Sequence, residues 1–168
     1  MQLGSINDVF THEVQDLHSA ETQLVSALPK LAQAASSQEL REAFEHHLEE
    51  TREHVRRLDE IIGQSGVGAG TEMCKGMAGL IAEGEEIVKA QGDPSAKDAA
   101  LISAAQRVEH YEIAAYGTAR TLADQLGNDA AKDLLDQTLD EESHADKLLT
   151  KIATGGLFKA GINEQAAR

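Results

Sequence analysis

Residues 101–119, LISAAQRVEHYEIAAYGTA, set a glutamate in the middle of an apolar helical stripe. Leu101, Ala105, Val108, Ala115 and Ala119 recur at the spacing that puts them on one helix face, and Glu112 falls near the centre of that face. Glu109 precedes it by one turn on the flank. Carboxylates on an apolar face gain a protein no solubility, and the same anomaly recurs along the chain.

Working outward, Gly92-Asp93-Pro94-Ser95 opens this helix, with Asp93 as N-cap and Pro94 at the first helical position, and Gly127-Asn128 closes it. A further helix is predicted from Asn128 to Thr154, ended by Gly155-Gly156. Upstream, Ile6, Phe10, Leu17, Leu24, Leu28 and Leu31 predict a helix over Ser5 to Ala35, which Pro29 should kink near Val25 or else divide. Ser36 and Glu39 read as a capping box opening a helix from Ser37 to Ile62, with Leu40, Phe44, Leu48, Val55 and Leu58 inward. The glycine-rich stretch Gly63 to Gly70 reads as a loop, and Thr71 to Gln91 as a shorter helix.

The order is hairpin, long crossover with its own short helix, hairpin. That is an all-α, ferritin-like four-helix bundle over residues 1–154, followed by a flexible C-terminal tail over 155–168. Pattern alone leaves open an up-down-up-down bundle of five helices.

Each long helix places an acid on its apolar stripe. Glu21 lies among Leu17, Leu24 and Leu28; Glu142 shares a face with Leu135, Thr138, Leu149 and Ile152, with Asp146 at its margin. His47, Glu50 and His54 form a ladder along one edge of the second helix, and Glu50 is the preferred acid there. Any one such glutamate reads as a snorkelling or interface residue. Convergence from four helices reads differently, because buried carboxylates need cations, and an oxygen-rich shell with one or two imidazoles suits two iron or manganese ions better than zinc. A Glu-x-x-His spacing is met by Glu141 and His144, while Glu50 and His54 are one residue further apart. His46, His47 and His110 read as surface or capping histidines, and Cys74 as packing of the short helix.

Composition bounds the rest. A net charge of −14 disfavours nucleic acid, whose phosphates require clustered Lys and Arg. No run of roughly 18 apolar residues argues for a membrane span. A single cysteine excludes an internal disulfide and fits a reducing compartment, so cytoplasm is the expected location. Aromatic content of 3% leaves the core to Leu, Ile, Val and Ala, as in closely packed helices.

The segments DLHSAETQLVSALPKL (Asp16 to Leu31), HLEET (His47 to Thr51), MAGLIAEG (Met77 to Gly84) and VEHYEIAAYG (Val108 to Gly117) resemble the YciF/YciE family of bacterial ferritin-like stress proteins over nearly the whole chain. The resemblance implies a bacterial cytoplasmic homodimer associated with stress responses, with a di-metal centre similar to that of rubrerythrin. It implies Glu21, Glu50, Glu109, Glu112 and Glu142 as inward acids and Asp146 as part of the fourth-helix pattern; His54 is a candidate ligand from its own place, one turn from Glu50 on the second helix. On this reading a di-iron centre reduces dioxygen or peroxide, with Glu112 and Glu50 bridging. An external electron donor is needed, since there is no four-cysteine iron module. The competing readings are a dimeric structural or interaction protein without catalysis, and iron storage.

Overall fold

A computed structural model describes residues 3–65, 70–156 and 159–168. Four long helices form the bundle: α1 (Ile6–Ala34), α2 (Gln38–Ser65), α4 (Pro94–Gln125) and α5 (Asp129–Thr154). The short α3 (Lys75–Lys89) lies outside them, packed on α1 and α4. Tyr111 of α4 meets Asp16 near the start of α1, while Asp98 meets Ser36 and Ser37 just past its end, so α4 runs antiparallel to α1 and parallel to α2. A parallel pair must be joined by a crossover that travels the bundle's length, and α3 supplies it. This is the ferritin-like arrangement rather than five alternating helices.

Local chemistry sets the helix ends. Ser5 and Asp8 form a capping box at the start of α1. The box expected at Ser36 and Glu39 is not formed: Ser37 caps α2 by accepting from Leu40 N at 3.4 Å, while the Ser36 and Ser37 N–H groups donate to the buried Asp98 carboxylate at 2.8 and 2.7 Å. One carboxylate thus ties the first hairpin to the second. Pro29 neither ends nor divides α1; it faces solvent, and the helix continues to Ala34. α3 starts at Lys75 rather than Thr71, with the Cys74 thiol as its cap. The expected loop over Gly63 to Gly70 begins later, since Gly63 to Ser65 continue α2, and residues 66–69 lie outside the described residues.

The C-terminal segment is not a free tail. β1 (Gly155–Gly156) pairs antiparallel with β2 (Lys159–Ala160), and α6 (Ile162–Ala166) packs on α4 and α5 with Ile162 buried in the core. Gly155 makes the reversal at φ +74, where an added Cβ would stand 2.3 Å from Gly161 N.

Buried positions on three helices follow a 4-3 spacing: Phe10, Val14, Leu17, Glu21, Leu24 and Leu28; Leu40, Phe44, His47, Thr51, His54, Leu58 and Ile61; Ala131, Leu135, Thr138, Glu142, Ala145, Leu149 and Ile152. The core consequently falls into two apolar clusters, one around Leu28, Phe44, Leu101 and Leu149, the other around Phe10, Leu58, Tyr116 and Leu135. Between them lies a belt of buried polar side chains. Among the described residues no helix is long and apolar enough to cross a membrane.

Candidate metal centre

The belt consists of Glu21, His47, Thr51, His54, Glu109, Glu112, Thr138 and Glu142, none more than 5% exposed. His54 Nδ1 lies 3.0 Å from Glu142 Oε1 and 3.3 Å from Glu21 Oε1; His47 Nε2 lies 3.5 Å from Glu109 Oε2 and 3.6 Å from Glu142 Oε2. These approaches are close but are not aligned hydrogen bonds. Among the described residues, eight buried side-chain atoms have no hydrogen-bond partner, and all eight belong to Glu21, His47, His54, Glu109, Glu112 and Glu142. Leaving one such group unpaired costs about 1–3 kcal/mol, and their concentration in one layer makes that layer a place that could hold cations. The atoms form two groups that could each hold a metal ion, Glu21-His54-Glu142 and His47-Glu109-Glu112-Glu142. Glu142 belongs to both, with one oxygen turned toward each histidine.

Outer partners aim the inward-facing atoms. His54 Nε2 lies 2.8 Å from Glu141 Oε2, and Arg57 holds both oxygens of that carboxylate at 2.5 and 3.0 Å. In the neutral ring with Nε2 as donor, the Nδ1 lone pair would face the centre, the carboxylate–imidazole arrangement that orients metal-binding histidines. His47 Nδ1 meets Glu50 Oε2 at 3.4 Å, which directs Nε2 inward. The Tyr116 hydroxyl donates to Glu21 Oε1 at 2.5 Å and leaves Oε2 free.

Electrostatics reports the strain of so many acids. Burial first, then repulsion by Glu142, Glu21 and Glu109, pushes the Glu112 carboxyl well above the usual range, and burial does the same to Glu109. Burial would also raise Glu142, but the two histidines outweigh it and hold this group below the ordinary value. Burial opposes protonation of the imidazoles, yet the surrounding carboxylates prevail. His47 is raised to about 10 by Glu109 and Glu142, and His54 to about 11 by Glu142 and Glu21.

The structure brings Glu21, His54, Glu109, Glu112 and Glu142 together, but not the other two sequence candidates. Glu50 stands at the edge, its side chain 23% exposed, shared between His46 and His47 at 3.4 Å each, so it contacts His47 from outside rather than joining the groups. Asp146 lies one turn past Glu142 and off its seam, against Gln106 Nε2 at 2.9 Å and His110 Nε2 at 3.3 Å. The acid common to both groups is Glu142, whereas Glu112 belongs to one of them and Glu50 to neither. His47, read from sequence as a surface or capping residue, is buried among the acids, and its signal was the 4-3 spacing through Phe44, His47, Thr51 and His54. Glu141 and His144 do not act as a pair, since Glu141 accepts from His54 and Arg57 while His144 is exposed. Cys74 is buried and more than packing: its Sγ lies 3.0 Å from both Asp16 Oδ2 and the Tyr111 hydroxyl, and burial raises its pKa.

Residues 5–167 match the family described as "Domain of unknown function (DUF892)". The chain belongs to the DUF892 family. Protein YciF of Escherichia coli K12 is 45% identical over 165 residues, covering 98% of this chain and 99% of that protein. The crystal structure of the E. coli stress protein YciF superposes with a TM-score of 0.86 at 47% identity, covering 89% of this chain and 94% of that one. YcfI from Rhodopseudomonas palustris, described as a candidate structural protein, gives a TM-score of 0.86 at 36% identity, with 90% and 97% of the two chains covered. The DUF892 fold is therefore shared at both levels.

Proposed function

We propose that this DUF892 protein is a bacterial cytoplasmic stress-response protein whose buried carboxylate–imidazole layer holds two divalent ions, iron in the redox-active form and manganese as the alternative. We assign it the reduction of peroxide or dioxygen, with electrons restored by an external donor, and a homodimeric state. One observation carries the reading: eight unpartnered buried atoms converge from four helices. Glu21, His54 and Glu142 would hold one ion, and His47, Glu109, Glu112 and Glu142 the other. When bound, an iron pair supplies two electrons, one from each ion.

The chain's own contribution is positioning. Glu141 and Arg57 fix His54, Glu50 orients His47, Tyr116 holds Glu21, and apolar clusters flank the layer on either side. Anaerobic titration with ferrous iron tests the reading. The expected result is two ions bound per chain and oxidation of both on adding peroxide; absence of bound iron, or bound iron inert to peroxide, refutes it.

A second reading, a structural or interaction protein on the same bundle, draws on His47 and His54. As imidazolium ions they offset part of the acidic charge without metal. Metal analysis of protein purified from its own host separates the two, a metal-free preparation favouring the structural reading.

A further inference from the structure

A cavity of about 180 Å³ opens between α2 and α5 and ends on the candidate metal centre. Its inner end carries His47 and Glu109, whose Nε2 and Oε2 are buried and without hydrogen-bond partners. One wall is hydrocarbon: Phe44, Ala145, Leu148 and Leu149. His46, Glu50 and His144 also line it, and of these His46 and His144 are exposed, so polar groups mark the mouth as well.

The size decides what such a cavity is for. A single water needs roughly 10–15 Å³ on this measure, and hydrogen peroxide about twice that. The cavity is several times larger than either requires, and its apolar wall has nothing to offer a solute made only of hydrogen-bonding atoms. A molecule with one small polar head and a compact hydrocarbon body matches both surfaces. Its head would meet His47 and Glu109, and its body would displace water from Phe44 and the two leucines.

We infer that this cavity is the binding site for an alkyl hydroperoxide, the head being the O–O–H group and the body a branched alkyl or phenylalkyl group. The inference rests on the proposed peroxide reduction and narrows its substrate class. In the reaction the O–O bond of ROOH breaks, two protons are taken up, and ROH and water leave. The two electrons come from two ferrous ions, each becoming ferric.

The probes are cumene hydroperoxide, its alcohol product 2-phenyl-2-propanol, and hydrogen peroxide. Ala145→Phe fills the cavity from α5; Leu148→Phe narrows it from a half-buried position and serves if the first variant misfolds. The alcohol should bind the metal-free wild-type protein, shifting the amide resonances of Phe44, Ala145 and Leu149. Binding should weaken at least about tenfold in the filled variants, the loss expected when one apolar group can no longer be buried. In single turnovers of ferrous-loaded protein, filling the cavity should slow cumene hydroperoxide by a similar factor and leave hydrogen peroxide unchanged. No alcohol binding, together with equal slowing or no slowing of the two oxidants, overturns the inference while the proposed function stands. Failure of the loaded protein to react with either peroxide overturns both.

Discussion

Glu112 offers the sharpest separation of the folding cost of the acidic layer from its metal-binding gain. Both its oxygens are buried without partners, and its carboxyl is pushed toward the neutral form by burial and by three neighbouring acids. Glu112→Leu keeps the volume close and removes two orphaned polar atoms, which in metal-free protein should raise stability by about 1–3 kcal/mol. For a chain of 168 residues, 1 kcal/mol moves Tm by about 2–4 °C, so the melting point in chelator should rise by about 2–12 °C. The metal response should move the other way. At manganese equal to 100 times its Kd for the His47-Glu109-Glu112-Glu142 group, that ion alone contributes about 2.7 kcal/mol, or about 5–11 °C, to the wild type. Loss of Glu112 that weakens binding in this group about 100-fold would leave RT ln 2, about 0.4 kcal/mol, from that ion at the same concentration, while the Glu21-His54-Glu142 group keeps its own share. Thermal melts by circular dichroism, with chelator and with manganese(II), read both effects in one experiment. A variant that melts lower in chelator, or that keeps the full manganese shift, would refute the reasoning.

Four other outcomes follow from the same geometry. Glu141→Gln should weaken manganese binding by about 10–100-fold, because it loosens the partner that orients His54; competition against a fluorescent chelator measures it. Asp146→Asn should leave that affinity unchanged, since Asp146 faces Gln106 and His110, and any large loss would restore it as a ligand. Asp98→Ala strips the acceptor from two backbone N–H groups at the first hairpin and should cost about 2–4 kcal/mol in urea denaturation with the metal stoichiometry intact. The histidines give a pH dependence: their folded pKa values, about 10 and about 11, lie above the ordinary 6.5. Their contribution to metal-free stability is therefore fully present below pH 6.5 and lost as pH rises through those values, while metal binding, which requires neutral imidazole, strengthens over the same range. Melts in chelator and calorimetric titrations between pH 6 and roughly pH 10 should run in opposite directions.

Iron storage is a third reading of this chain. Among the described residues, the short helix after α5, α6, is folded back on α4 and α5 with its first residue in the core, so it is occupied in closing this bundle. The mass of the native assembly discriminates, a dimer supporting the proposed state.

Periodicity and composition alone were enough to determine four long helices, a crossover helix, and Glu21, Glu112 and Glu142 on inward faces. These are one-dimensional properties, because a helix advances by a fixed angle per residue and an acid at a leucine position is visible without knowing what it faces. They also placed Glu109 beside Glu112. What a single helix cannot reveal is which residues at the border of its stripe another helix will cover. His47 and Glu50 both sat on such a border, and packing against α4 and α5 buried the first and left the second at a cavity mouth. Asp146, one turn beyond Glu142, was turned by the same packing toward α4's outer residues. The C-terminal segment is not legible in the sequence for a related reason: its helix has five residues, too few to show a period, and its place is fixed by contacts distant in sequence. Tertiary structure alone decided which ionisable groups share one volume, and that decides their protonation, because desolvation and Coulomb forces depend on distance through space and not along the chain.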